Sequence, residues 1–282
     1  MNSYSLSVEE KIERVLTFLT SSPPGEENDV FNDIRGIIND DQALQDNIVP
    51  TLTKLSIERF QVVDIPDTAL KTMITQYNQV EDNKYVDFNT KKAIVFDHLR
   101  EKVVSCEDYE EESTLEELRS LVQKNVVGYL EDRYQEGVGC TFIVDDSKVV
   151  VCIVGNKFNP ENFWNGSWRS SWIFDTSSGT IEGKVSVHIH YYEDGNVQQI
   201  SNFDFNEQLN LTDDNSELAS SIVKKIRALE QQYHRSLNDH YSQLSQKTFK
   251  AFRRMLPITR NKVDWDKIIN YKIGESIENM SK

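Results

Sequence analysis

Apolar and polar positions change period along the chain, and each change predicts a different kind of element. Residues 1–60 read as a helical stalk. Ser7, followed three positions later by Glu10, forms a capping box ahead of Ile12, Val15, Leu16 and Leu19. Ser22-Pro23-Pro24-Gly25 breaks that helix. A second helix is predicted through Val30, Phe31, Ile34, Ile37 and Ile38. A third, preceded by Asp40-Asp41, carries Leu44, Ile48, Leu52 and Leu55. Pro50 lies inside the third pattern and is expected to kink or interrupt it. Short connections favour antiparallel neighbours, but one such unit cannot bury both its faces and must lean on something else.

Residues 61–136 form a less regular connecting segment with short strands and a helix. Val62, Val63 and Ile65 end at Pro66, and apolar runs between Val86 and Phe96 suggest hairpin strands. Five acids in the six residues Glu107 to Glu112 predict a solvated loop. Thr114 with Glu117 is expected to start a helix through Leu115, Leu118, Leu121, Val122, Val126 and Leu130. From 137 to 211 the pattern alternates. Five strands are predicted at Val138–Asp145, Val149–Phe158, Trp164–Asp175, Ile181–Tyr192 and Val197–Leu209. Ser178-Gly179 and Asp194-Gly195 are hairpin signals, so the strands form an antiparallel meander with two edges, one of them a template for another chain. Residues 212–257 return to helical spacing through Leu218, Ile222, Ile226, Leu229, Tyr233, Leu237, Tyr241 and Leu244, with no Gly or Pro before Pro257. A helix of about 40 residues would run roughly 60 Å. Its single apolar stripe should lie along a sheet face or another helix. Residues 258–282 carry Trp265, Ile268, Ile269, Ile273, Ile277 and Met280, an amphipathic segment too short to be stable alone. The fold class is α+β.

Composition narrows the possibilities. Of 282 residues 38% are hydrophobic and 10% aromatic, enough for a core. The mean hydropathy of −0.55 and the lack of a long apolar run exclude a transmembrane helix. Glu9, Glu10 and Glu13 fit neither a secretory nor a mitochondrial presequence. Cys106, Cys140 and Cys152 show no CxxC or paired spacing, which indicates free thiols in the cytosol.

Charge is distributed unevenly. Lys247, Lys250, Arg253, Arg254, Arg260, Lys262, Lys267 and Lys272 are opposed within their span only by Asp264 and Asp266, giving +6, whereas the whole chain is −15, leaving −21 elsewhere. A cationic, aromatic-bearing tail on an acidic body suits docking onto an acidic protein surface. A basic helix end is often merely solvated and complements the helix dipole. Here the charges continue past the helix, with apolar residues between them, which marks a binding segment. The net charge and the lack of a binding motif argue against nucleic acid.

Catalytic chemistry finds little support. His188 and His190 share a strand face near Glu193 and Asp194, but no third ligand stands at a recognisable metal spacing. Gly179-Thr-Ile-Glu-Gly183-Lys184 is too short for a phosphate loop and precedes a strand. Cys140 reads as core. Neither an enzyme, a metal nor a cofactor is expected. Trp164, Trp168 and Trp172 share one face in a helix or a strand. The Asn165-Gly166 pair suggests a turn among strands, and the tryptophans read as anchors for a covering helix.

His190-Tyr191-Tyr192-Glu193-Asp194-Gly195-Asn196-Val197 and Phe249-Lys250-Ala251-Phe252-Arg253-Arg254-Met255-Leu256-Pro257 resemble two signatures of the alpha subunit of the actin filament barbed-end capping protein. Phe163-Trp164-Asn165-Gly166 with Trp168-Arg169-Ser170, and the ending from Asp264-Trp265 to Tyr271-Lys272-Ile273-Gly274, are similar to further stretches of that family. The family usually has Leu where Phe252 stands and Arg where Ser167 stands. The resemblance implies a helical stalk, a central antiparallel sheet completed by a beta subunit, a long helix across the sheet and a C-terminal tentacle. It further implies calcium-independent capping of actin barbed ends in the cytoplasm, by an obligate heterodimer with the capping protein beta subunit. Actin contacts carried over are Lys250, Arg253, Arg254, Arg260 and Lys262, with apolar support from Trp265, Ile268 and Ile269. Lys250, Arg254 and Arg260 would also meet inhibitory anionic phosphoinositides, and other capping-protein regulators are expected partners. The competing reading is a scaffold subunit for another acidic assembly, such as an actin-related-protein filament.

Overall fold

A computed structural model describes residues 7–110, 112–134, 136–193 and 195–244. The chain divides after Glu230 into two compact units, and the packing described below belongs to the first. It begins with helices α1 (Val8–Thr20), α2 (Glu27–Ile38) and α3 (Asp41–Glu58). The expected capping box forms: the Ser7 hydroxyl accepts from the Glu10 N–H and the Glu10 carboxylate accepts from the Ser7 N–H. Asp40 caps α3 by accepting from the Ala43 N–H at 3.0 Å. Val15, Leu19, Ile34, Leu44, Ile48 and Leu55 form a shared core. Burial of each such side chain contributes about 1.5–3 kcal/mol. Pro50 does not interrupt α3, which is helical on both sides of it. Phe18, Ile37 and Val49 stay exposed, so the stalk does retain uncovered apolar surface.

The connecting segment is more ordered than its sequence suggests. Strands β1 (Gln61–Asp64) and β2 (Lys71–Ile74) form a two-stranded sheet. Strands β3 (Gln79–Glu81), β4 (Lys84–Asp87), β5 (Lys92–Asp97) and β6 (Lys102–Asp108) form an antiparallel sheet in that order. Glu107 and Asp108 are therefore the end of an edge strand, paired with Ala93 and Lys92, and not a loop. The charge is tolerated because the strand is exposed and Lys84 pairs with the Glu107 carboxylate. Helix α4 (Glu116–Arg133) starts without the Thr114–Glu117 capping box. Its N-cap is Leu115, whose N–H donates to the Ser113 hydroxyl.

The central sheet has the order β11-β10-β9-β8-β7, built from β7 (Val138–Val144), β8 (Lys148–Asn159), β9 (Trp164–Asp175), β10 (Thr180–Tyr191) and β11 (Val197–Gln208). Each strand is antiparallel to the next, as the alternation predicts. Asn165 and Gly166 do not turn. They lie in β9 opposite His190 and Ile189, and the Asn165 amide oxygen accepts from the Asn159 N–H. One sheet face carries Cys140, Phe142, Val150, Cys152 and Val154 against Met73, Phe60 and Val62. Cys140 and Cys152 are opposite one another, buried and unbridged. Burial pushes the Cys140 thiol up to about 12, which keeps it unreactive.

The other face receives the helices. α4 lies so close to β7 that a Cβ on Gly139 would stand 2.7 Å from Leu130 and Val126. α5 (Asn215–Gln243) buries Leu218, Ala219, Ile222, Ile226 and Leu229. The remainder of the expected long helix lies outside the described residues.

Candidate interaction surfaces

The two edges of the central sheet are unlike one another. At β7 the Gln123 side chain of α4 acts as a substitute strand. Its amide donates to the Gly139 carbonyl at 2.9 Å and accepts from the Thr141 N–H at 2.8 Å. Gln123 thereby meets the Gly139 carbonyl and the Thr141 N–H in the middle of that edge. At the opposite edge β11 pairs only with β10 among the described strands. Val197 and Ile200 of β11 are 63% and 62% exposed, and they lie on opposite sheet faces because their spacing is odd. A twelve-residue edge with apolar side chains on both faces is a template for another strand. The sequence shows that two edges exist but gives no sign that Gln123 closes one of them.

The second feature joins the stalk to the sheet. His190, buried on β10, places Nδ1 2.6 Å from the Glu26 carboxylate and Nε2 3.1 Å from the Asn196 amide oxygen, and its ring stacks on Tyr192. Asn165 donates to the same Glu26 oxygen. His188, which shares that face, instead places Nε2 3.0 Å from the Gln198 amide oxygen. The histidine pair thus serves as a latch between loops and strands. No group of three or more His, Cys, Asp or Glu suited to a metal ion occurs among the described residues. Alongside, Arg59 pairs with Glu27 and donates to the Ser22 carbonyl and hydroxyl, while Arg169 donates Nε–H to the Arg59 carbonyl at 2.6 Å. Burial, helped by the neighbouring Arg59 charge, pulls the Arg169 guanidinium down to about 10. Both arginines line a cleft of about 420 Å³ together with Leu52, Phe60 and His98.

The third feature is the seat of α5. Glu230 is fully buried on its apolar stripe and accepts four hydrogen bonds. Tyr129 and Tyr134 donate to Oε2 at 2.6 and 2.9 Å, and Ser170 and the Trp172 indole donate to Oε1 at 2.6 and 3.2 Å. Burial first, and then the Glu230 charge, push both phenols far above their ordinary range, so they stay protonated donors. The reading of the tryptophans as anchors for a helix holds for Trp172. Its ring rests directly over Gly183 of β10, where a Cβ would stand 2.1 Å away. The sequence does carry a signal for Glu230: it occupies the stripe of Ile222 and Ile226 at the next four-residue step, a charge where the pattern calls for an apolar residue.

Lys250, Arg253, Arg254, Arg260, Lys262, Trp265, Ile268 and Ile269 all lie outside the described residues. Among the described residues no helix is long and apolar enough to cross a membrane.

The chain has recognisable relatives. The model of the F-actin capping protein alpha subunit family matches residues 15–276. An F-actin-capping protein subunit alpha from Chaetomium thermophilum is 36% identical over 262 residues, 93% of each chain. One from Caenorhabditis elegans is 34% identical over 280 residues, covering 97% of this chain and 99% of its own. These names are those of a filament-capping subunit and not of an enzyme. A solved structure described as a homodimeric actin capping protein alpha subunit from Plasmodium berghei superimposes with a TM-score of 0.76 over 90% of this chain and 99% of that one, at 22% identity, which shows a shared fold.

Proposed function

Because the chain belongs to the family of F-actin capping protein alpha subunits, we propose that it is one half of a heterodimer that caps the barbed ends of actin filaments. The partner is a capping protein beta subunit. The observation that carries the pairing is the inequality of the sheet edges: β7 is closed by Gln123, whereas β11 offers a long apolar-bearing edge. A partner strand added antiparallel to β11 would continue the sheet into a second subunit, and the exposed Phe18, Ile37 and Val49 would gain cover.

Capping itself needs no chemical step. The cationic residues Lys250, Arg253, Arg254, Arg260 and Lys262 meet acidic faces of the terminal actin protomers, and Trp265, Ile268 and Ile269 add apolar contact. The positive segment speeds encounter and the wide contact slows release. Lys250, Arg254 and Arg260 also give anionic phosphoinositides a competing site. The pair acts in the cytoplasm, and no calcium takes part.

Elongation of pyrene-labelled actin from seeds tests the reading. The purified coexpressed pair stops barbed-end growth at nanomolar dose, equally with calcium or with a chelator present. Growth at the usual rate with the pair in excess would overturn the proposal. Selective action on an actin-related-protein filament would replace it with the scaffold reading.

A further inference from the structure

We propose that Glu230 is a positioning residue: it fixes the rotation and axial register of α5 on the sheet. The functional consequence rests on the capping reading; the structural claim does not.

An apolar stripe specifies which face of a helix is buried far better than it specifies position along the axis. Leu218, Ile222, Ile226 and Leu229 recur at steps of four and three. Sliding such a helix by one turn puts Ile222 where Leu218 was and Ile226 where Ile222 was, so burial is nearly degenerate between registers. Hydrophobic contact alone therefore leaves the long helix poorly located along its own axis.

Glu230 removes that degeneracy. A buried carboxylate is strongly unfavourable unless its lone pairs are met. Here four donors converge on it from separate places: Tyr129 of α4, Tyr134 just after α4, and Ser170 and Trp172 of β9. The four have no cation among them, and all are directional. Only one rotation and one axial position of α5 satisfies them together. A slip of one turn would carry the carboxylate away from these donors and orphan the Trp172 indole. An apolar residue at 230 would leave four buried donors without their acceptor, at a cost in stability, and would leave α5 held by its apolar stripe alone. What the carboxylate adds is register, the role a single buried polar residue plays in coiled coils.

Its place in the chain gives this register consequence. Glu230 is the last residue of the first compact unit. α5 continues unbroken from it to Gln243. Each residue of a helix turns by about 100°, so a register error of a single residue would swing the Glu230 carboxylate more than a quarter turn away from its four donors.

The experiment compares the coexpressed heterodimer as wild type, Glu230→Gln, Glu230→Leu and the double variant Tyr129→Phe/Tyr134→Phe. Three quantities are read: the thermal midpoint, hydrogen exchange of residues 231–243 against residues 116–133, and the dissociation rate of pairs already bound to barbed ends. The dissociation rate is counted per bound molecule, so a smaller folded fraction does not move it. The expected result is a lower midpoint for Glu230→Leu, whose four buried donors lose their acceptor, with faster exchange in 231–243 but not in 116–133, and dissociation about tenfold faster. Unchanged exchange and unchanged dissociation in a folded variant overturn the proposal. Should Glu230→Leu fail to assemble, the tyrosine double variant decides by the same two readouts. Should the wild-type pair not cap at all, the capping reading fails, and hydrogen exchange alone decides the anchor.

Discussion

Gly183 shows how a residue without a side chain can define a site. The Trp172 ring occupies the space in which a Cβ would stand, 2.1 Å from its nearest ring atom, and the same indole donates to Glu230. Gly183→Ala must push the ring off its seat, an overpacking change of about 1–3 kcal/mol, and we expect a clear fall in the thermal midpoint of the assembled pair. Gly128 lies mid-helix in α4, and a methyl added there would meet nothing within 4 Å. Gly128→Ala is therefore expected to raise the midpoint, by roughly 0.5–1 kcal/mol of helix preference. Calorimetry on the two variants side by side checks both signs. Acid acts through a different residue. His98 is buried between Tyr85 and Phe96, and burial pulls its imidazole below the ordinary 6.5, against a smaller upward pull from Asp97. The unfolded chain then binds a proton that the folded chain resists, so stability is lost as pH falls through and below 6.5. His188 is shifted the same way, again first by burial. The drop in midpoint between pH 7.5 and 5.5 should shrink in His98→Gln; an equal drop in both proteins contradicts this assignment.

At the scale of elements, legibility follows length and periodicity. The five strands of the central sheet appear in the sequence within a residue or so of their observed ends because turn residues bound them and their apolar positions either alternate, as in β10, or run on unbroken, as from Val149 to Val154 in β8. In the connecting segment β1 and the β4–β5 hairpin show there as short apolar runs, whereas β2 and β3 hold too few alternations to set a period and β6 ends in acids that look like loop. Pro50 misleads because a helix supported by Leu44, Ile48 and Leu55 in the stalk core tolerates one missing hydrogen bond. The interaction surface is half legible: two edges follow from a five-strand meander, but which one is open depends on Gln123, whose contact is made sixteen to eighteen residues away. With Gln123 on β7, the proposed pairing falls to β11. Ile200→Lys puts a charge in the middle of the open edge, and its coexpressed beta subunit should no longer co-purify in a one-to-one complex. Retention of a stable pair by analytical ultracentrifugation would place the interface elsewhere.

The whole molecule carries its charges in opposition, +6 between Lys247 and Lys272 against −21 elsewhere. If the chain caps filaments as proposed, a body of that sign repels an acidic filament and approach is favourable through the tail, with the field falling within a Debye length of about 8 Å at physiological salt. Electrostatic steering and apolar grip should therefore separate kinetically. Reversing Arg253, Arg254 and Arg260 to Glu changes the segment by two charges at each position and brings +6 to zero. The expected outcome is an association rate to barbed ends lower by orders of magnitude, with the salt dependence of the wild type largely abolished. Replacing Trp265, Ile268 and Ile269 with Ala leaves the charge untouched. Association should then stay near the wild-type rate and keep its salt dependence, while dissociation accelerates, because grip is expressed in the off-rate. Single-filament imaging at two salt concentrations measures both rates for all three proteins. A charge-reversed pair that associates normally, or an alanine variant that slows association as much as the reversal does, would mean that the tail does not divide capture from retention in this way.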